Sequence, residues 1–260
     1  MSKKQSKATK QANMQRASER AAAIRAEHER KERRNRALVV AAAVVGVLLV
    51  VVAIAVGLST GGGSGEGQTS SPPDNAVDSY ALPLGDDDAP VEVTVYEDMM
   101  CPYCGVFEQV SSERMKEYAA SGDVQVRYHV VSFLDRASQD RYSTRAANAI
   151  AVVLDTAGAE VAVDFHDALF ANQPEEGGAG ISDDEMIELA VQAGADEEAI
   201  RGPIEDLKFE PWVEDATEEW SKRGFTGTPT VTVDGEKVEF TSAEDLLANT
   251  VRAIDAALAE

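Results

Sequence analysis

Cysteine and histidine are scarce in this chain, and their scarcity excludes several kinds of site. The 260 residues include two cysteines and three histidines. Two cysteines cannot supply a scaffold held by several disulfides or a four-cysteine zinc site. Three histidines leave little room for a histidine-rich metal centre. Charged residues are also missing from one long stretch, Ala37 to Leu58.

The charge of the chain is divided along its length. The net charge is −22 overall. Residues 1–36 carry twelve basic groups against four acidic ones, whereas residues 59–260 carry twelve basic groups against 42 acidic ones. Because an acidic surface repels a phosphate backbone, we expect the large C-terminal part to have no nucleic-acid partner.

The uncharged stretch predicts a transmembrane helix over residues 37–58. These 22 residues would span roughly 33 Å as a helix, and a bilayer core is about 30 Å thick. A cleaved signal peptide is the alternative, but its apolar region is usually only roughly 7–15 residues long. We therefore favour an uncleaved anchor. The basic residues before it indicate that the tail, residues 1–36, is cytoplasmic and that the remainder is extracytoplasmic.

The remaining chain divides into a linker and one globular region. Residues 59–79 are rich in Gly, Ser and Pro and predict a flexible linker. Residues 80–260 show the order strand, helix, strand, helical block, strand, strand, helix, with the helical block at about 138–223. This order predicts an α/β fold with an inserted helical layer.

Hydrophobic periodicity and turn residues give the individual elements. Capping boxes at Ser182–Glu185 and Thr241–Glu244 predict two helix starts. Breaks inside the helical block are predicted at Gln173–Gly180, Gly194 and Gly202-Pro203. The predicted strands are 91–96, 124–131, 230–233 and 237–240, the last two joined by a turn at Asp234-Gly235, and the first helix is 102–120.

The two cysteines form a Cys101-Pro-Tyr-Cys104 motif where the first strand meets the first helix. Residues i and i+3 of a helical turn have Cα atoms about 5 Å apart, which is within the range for a disulfide. At the helix N-terminus, Cys101 faces free N–H groups and the positive end of the helix dipole, which favour its thiolate. Cys104 lies one turn deeper. The spacing indicates redox chemistry; a zinc site or a purely structural disulfide, which would remove little chain entropy, is the alternative.

A proline at the start of a later strand is the second feature. Pro229 stands in Gly-Thr-Pro-Thr-Val-Thr-Val, immediately before the predicted strand. A proline is tolerated there because the first position of a strand does not need its N–H, and both a cis and an ordinary trans bond remain open.

Taken together, these motifs resemble one known family. EDMMCPYCGVFE, followed far downstream by GTPTVTVDG, is similar to the DsbA family of thiol–disulfide oxidoreductases, in its membrane-tethered bacterial branch. The lead-in Gly85–Pro90 is also similar to that branch. The resemblance covers residues 80–260 and implies a thioredoxin fold with an inserted helical domain over a peptide groove.

The resemblance also implies roles for individual residues. Cys101 would attack the partner, Cys104 would resolve the mixed disulfide, and Pro229 would be a cis-proline facing the sulfurs. The implied substrate-binding residues are Thr228, Pro102 and Tyr103.

Two positions depart from the pattern of such proteins. Val95 stands where some members carry a buried carboxylate, so Glu97 or Asp98 would have to assist proton transfer. Tyr103 stands where the strongest oxidants have histidine, which predicts milder oxidising power.

We therefore expect an anchored extracytoplasmic enzyme that oxidises the thiols of exported proteins and is recharged by a membrane redox partner. The chemistry requires no metal and no organic cofactor. A reductase or isomerase kept reduced by a membrane donor, or a non-catalytic tethered binding module, remains the alternative.

Overall fold

The computed structural model describes residues 70–259. The predicted tail (1–36), the predicted membrane helix (37–58) and most of the predicted linker (59–69) lie outside the described residues. Within residues 70–259, none of the helices has the length and apolar character needed to span a membrane.

The described residues form a mixed five-stranded sheet. The strands are β1 (Leu82–Leu84), β2 (Val91–Glu97), β3 (Val124–Val130), β4 (Thr230–Val233) and β5 (Glu236–Lys237). Their order in the sheet is β1-β3-β2-β4-β5. The central strands β2 and β3 run parallel, with Val93 level with Val126, while β4 pairs with the other edge of β2 antiparallel.

Helices cover both faces of this sheet. The first helix connects the parallel strands β2 and β3, and five further helices lie between β3 and β4, so the predicted helical insertion is confirmed. The helices are α1 (Pro102–Ser121), α2 (Tyr142–Ala157), α3 (Ala159–Ala171), α4 (Asp183–Ala193), α5 (Glu197–Glu205), α6 (Glu210–Lys222) and α7 (Ala243–Ala257), with a 3-10 turn at Asp135–Ala137.

Two neighbouring residues of β3 show which helices lie on which face. Successive side chains of a strand point to opposite faces. The Tyr128 ring lies 4.5 Å from the His166 ring of α3, whereas His129 contacts the Ala216 carbonyl oxygen of α6 through Nε2. The insertion therefore contributes to both faces. A large apolar core fills the space between the layers, and α1 packs beside α7.

Local sequence signals account for several helix ends. Ser182 accepts a hydrogen bond from the Glu185 N–H and completes the predicted capping box of α4, which Gly194 ends in a left-handed conformation. The cap of α7 differs from the prediction by one residue, because Ser242 rather than Thr241 accepts the bond, and it does so from the Asp245 N–H. Thr241 instead binds the Asp245 carboxylate.

Three further predictions about the elements were wrong or incomplete. The last strand is only Glu236–Lys237 rather than 237–240. The helical break predicted at Gly202-Pro203 falls later, because Pro203 continues α5 to Glu205; a proline has a helical φ and removes only one intrahelical hydrogen bond. The edge strand β1, which pairs with β3 antiparallel, was not predicted.

Candidate active site

The Cys101–Cys104 motif lies where β2 ends and α1 begins. Cys101 is the N-cap residue of α1, with an extended backbone, and Pro102 follows at the first helical position. The Cys101 N–H donates to the Asp98 carbonyl oxygen at 2.9 Å, which closes a tight turn after the strand. The local sequence favours this arrangement because a proline at the first helical position loses no hydrogen bond.

Both cysteines are reduced in this structure, and both are largely shielded from solvent. Cys101 is 4% exposed and Cys104 1% exposed. Tyr103 between them is 73% exposed, and Val106 on the next turn is 45% exposed. A buried sulfur thus lies beside two exposed apolar side chains.

The two sulfurs differ in acidity. A hydrogen bond from the Cys104 thiol lowers the pKa of Cys101 to about 6, against the opposing effect of burial. Further hydrogen bonds at Thr228 and at the N–H groups of Cys104 and Tyr103 act in the same direction. Burial raises the pKa of Cys104 well above its ordinary value, and the Cys101 thiolate and Glu97 reinforce this. At neutral pH, Cys101 is therefore a thiolate and Cys104 a thiol that donates to it.

The loop before β4 completes the sulfur environment. The peptide bond between Thr228 and Pro229 is cis. The Cys101 Sγ lies 3.3 Å from the Thr228 carbonyl oxygen, so the cysteine motif and the loop at Thr228-Pro229 are in contact, as expected. A cavity of about 430 Å³ adjoins this loop and is lined by both Thr228 and Pro229 together with Phe225 and Phe240.

Asp98 is buried three residues before Cys101, and its carboxylate accepts hydrogen bonds from three groups. Oδ1 accepts from the Met100 N–H (2.9 Å) and the Ser143 hydroxyl (2.7 Å), and Oδ2 accepts from the Leu134 N–H (2.8 Å). Burial raises the pKa of Asp98 to about 7, although these hydrogen bonds oppose the shift. A carboxyl that titrates near neutrality suits acid–base chemistry, but proton transfer by Asp98 stays a prediction.

Glu97, the other predicted proton-transfer residue, is paired with a histidine that sequence reasoning missed. Its Oε1 lies 2.7 Å from His166 Nε2, and both side chains are buried. Burial alone would lower the pKa of His166, but Glu97 and Asp167 raise it to about 10. The sequence analysis assigned His166 no role because 69 residues separate it from Glu97. The one signal in the sequence was the position of Glu97 on the same face of the strand as Val93 and Val95. That face is apolar, and a carboxylate buried there requires a partner.

Gln173 is a second residue that sequence reasoning missed. Its Nε2 donates to the carbonyl oxygens of Met99 (3.0 Å) and Cys101 (2.9 Å). It follows α3, so the helical insertion holds the turn that carries the nucleophile. Gly105 on α1 makes room for it, since a Cβ there would lie 2.2 Å from Gln173 Oε1.

Several solved structures are similar to this chain in fold. The chain is 30% identical to the reduced disulfide bond oxidoreductase DsbG from Mycobacterium tuberculosis, with a TM-score of 0.57 over 69% of this chain and 92% of that one. DsbA from the same organism (reduced) is 29% identical, with a TM-score of 0.55 over 69% and 98% of the two chains. Oxidised BdbD from Bacillus subtilis is 25% identical, with a TM-score of 0.61 over 69% and 94%.

The thioredoxin fold and the paired cysteines define a protein thiol–disulfide oxidoreductase of DsbA type. The thioredoxin family model matches residues 78–253, and the chain belongs to this family.

One curated relative has a different activity in its name. The serine/threonine-protein kinase PknE from Mycobacterium tuberculosis (strain H37Rv) is 33% identical over 121 residues, which are 45% of this chain. The chain spans only 21% of that kinase, and no kinase activity follows from the match.

Proposed function

We propose that this protein is an extracytoplasmic, membrane-anchored oxidant of thiols in exported proteins. The acidity of Cys101 carries the proposal. A thiolate that is stabilised in the reduced protein makes the Cys101–Cys104 disulfide easier to reduce, and therefore a better oxidant. With a pKa of about 6 instead of 9.0, the stabilisation at pH 7 is about 1.4 kcal/mol, equivalent to about 30 mV.

In the proposed reaction, a client thiolate attacks Cys101 Sγ of the disulfide and releases Cys104. A second client thiol then attacks the client sulfur of the mixed disulfide and releases Cys101 as the thiolate. Two electrons pass to the enzyme, and the client gains a disulfide. A membrane redox partner must accept these electrons to restore the Cys101–Cys104 disulfide.

Client binding is assigned to the surface around the sulfur. Tyr103 and Val106 are exposed close to Cys101 in the chain, and the cavity at Thr228–Pro229 is lined by the residue whose carbonyl oxygen contacts Cys101 Sγ. Neither the Cys101 thiolate nor a mixed disulfide at Cys101 has a proton to donate, so the Thr228 carbonyl oxygen beside this sulfur is available to accept from a client N–H.

The proposed location follows from residues outside the described part of the chain. The uncharged segment 37–58 is long enough to cross a bilayer, and the basic residues of 1–36 precede it. A protease added to intact cells or spheroplasts should then digest the region after residue 59 but leave the N-terminal tail protected. Protection of both regions would contradict the location.

The reduction potential against glutathione tests the direction of the reaction. Thioredoxin has a potential of about −270 mV and DsbA about −120 mV. We expect an intermediate value clearly above that of thioredoxin, and a value near −270 mV would favour the reductase or isomerase alternative.

Oxidative refolding of a reduced client tests catalysis itself. Cys101→Ser should abolish the acceleration, and so should Cys104→Ser, which has no disulfide with which to oxidise the client. Given an oxidised client instead, the Cys101 thiolate of Cys104→Ser should attack the client disulfide, release one client thiolate and accumulate a mixed disulfide, because the resolving thiol is missing. An unchanged refolding rate with Cys101→Ser would favour a non-catalytic binding module.

A further inference from the structure

A second cluster of side chains lies on the face of α1 that packs against α3. Glu108 of α1 and His166 and Asp167 of α3 each offer one ligand atom, and these atoms all lie within 4.8 Å of one another. Glu108 and His166 are buried, whereas Asp167 is partly exposed. The redox reaction proposed above uses none of these three side chains.

Glu108 has an unexplained polar atom. The residue is 6% exposed, and its buried Oε1 has no hydrogen-bond partner. An unpartnered buried oxygen of this kind is unfavourable, and a bound ion or an ordered water would satisfy it. Glu108 and Asp167 also line a groove of about 1050 Å³, so solvent reaches the edge of the cluster.

His166 is oriented as a metal-binding histidine is. Its Nε2 contacts Glu97 Oε1 at 2.7 Å, which leaves Nδ1 directed at Asp167 Oδ1, 3.1 Å away. Histidines that bind zinc commonly have a carboxylate on their other ring nitrogen. Two ligands that bind one zinc ion at about 2.0 Å in tetrahedral geometry lie about 3.3 Å apart, close to the distance found between Nδ1 and Oδ1.

The second oxygen of Asp167 is occupied separately. Lys116 Nζ contacts Asp167 Oδ2, so Oδ1 can bind an ion while the lysine remains in place. If a dication replaces the proton on His166 Nδ1, the negative charges of the Glu108 and Asp167 carboxylates balance its charge. The contact between Glu97 and His166 Nε2 then stays as it is.

We propose that Glu108 Oε1, His166 Nδ1 and Asp167 Oδ1 bind a zinc ion, with water from the groove as the fourth ligand. Zinc suits a site with one imidazole and two carboxylates, whereas magnesium prefers an octahedral set of oxygens. The ion joins α1, which carries the cysteines, to α3 of the helical insertion. Its role is structural, and it takes no part in electron transfer.

Zinc titration of the oxidised full-length protein tests the site. The Cys101–Cys104 disulfide removes the thiolates as competing ligands. We expect one zinc ion per chain by isothermal titration calorimetry in competition with a chelator. Glu108→Gln and Asp167→Asn should each weaken binding at least tenfold, and Glu97→Gln by roughly 10- to 100-fold. Glu113→Gln is the matched control, since Glu113 lines the same groove outside the cluster and should leave the affinity unchanged.

X-ray absorption at the zinc edge gives an independent result that does not depend on variants that may fold poorly. We expect nitrogen and oxygen ligands at about 2.0–2.2 Å and no sulfur. The proposal is overturned by the absence of binding, which would leave the cluster as an imidazolium held between carboxylates. Sulfur ligation would place the zinc elsewhere and overturn the proposal as well. So would an affinity in Asp167→Asn and Glu108→Gln that equals that of the unsubstituted protein.

Discussion

The acidity of Cys101 predicts that the stability difference between the reduced and oxidised protein depends on pH. The reduced protein has a Cys101 pKa of about 6, compared with an ordinary value of 9.0 for an unfolded chain. The oxidised protein has no thiol at either position. The perturbation is therefore a change of pH between 5 and 8, applied to both redox forms of the same chain.

The sign follows from the direction of the shift. Because folding lowers the pKa, the contribution is complete above pH 9 and is lost as the pH falls through about 6. At pH 8 it amounts to nearly two pKa units, about 3 kcal/mol, and at pH 5 it is close to zero. Cys104 adds nothing in this range, since its raised pKa keeps it a thiol when folded and an unfolded cysteine is also mostly protonated below pH 8.

Guanidinium unfolding of both forms at each pH measures this difference. Groups that titrate alike in the two forms cancel when the free energies of unfolding are subtracted. The reduced protein should gain about 3 kcal/mol relative to the oxidised protein between pH 5 and pH 8, and reduced Cys101→Ser should lose this slope. A difference that stays constant with pH, or that falls as the pH rises, would refute the assignment of Cys101 as the stabilised thiolate.

Substitutions at three positions test other contacts of the site and fold. Cys104→Ala should raise the Cys101 pKa by about 1–2 units, because a hydrogen bond to a charged group is worth about 1.5–3 kcal/mol. Cys104→Ser keeps a hydrogen-bond donor and should raise this pKa less. The pH dependence of Cys101 alkylation measures both shifts. Gln173→Ala should cost about 1–2 kcal/mol of unfolding free energy. Gln173→Glu should cost more, because it directs a carboxylate at two carbonyl oxygens. Equal losses in denaturant unfolding would contradict the hydrogen bonds from Gln173 to Met99 and Cys101. Ser182→Ala should cost about 1 kcal/mol through loss of the α4 cap and leave the rate of thiol exchange unchanged, so a slower exchange would contradict its purely structural role.

Features set by neighbouring residues could be predicted from the sequence. The alternating pattern of Val91–Tyr96 predicted β2, and Ser182 with Glu185 predicted the start of α4, because both signals act within a few residues. The position of Cys101 at the helix N-terminus likewise follows from Pro102. The meeting of Cys101 with Thr228, 127 residues away, was implied only by the resemblance to a known family.

Features set by tertiary contacts could not be predicted. The strand β1 has only three residues and contains Pro83, so its sequence shows no strand pattern; it exists because the edge of β3 pairs with it. Gln173 lies in a stretch predicted only as a break between helices, and nothing local shows that its amide reaches Met99 and Cys101. The pairing of Glu97 with His166 depends in the same way on how α3 packs against the sheet.

The identity of the reactive sulfur is the central claim, and limited alkylation tests it most directly. The reduced full-length protein is treated at pH 7 with less than one equivalent of iodoacetamide, and the labelled peptides are mapped by mass spectrometry. Cys101 has a pKa of about 6 and buried Cys104 a far higher one, so the thiolate fraction of Cys101 is larger by roughly tenfold or more. At least nine-tenths of the label should therefore lie on Cys101. Equal labelling of the two cysteines, or preferential labelling of Cys104, would contradict the account.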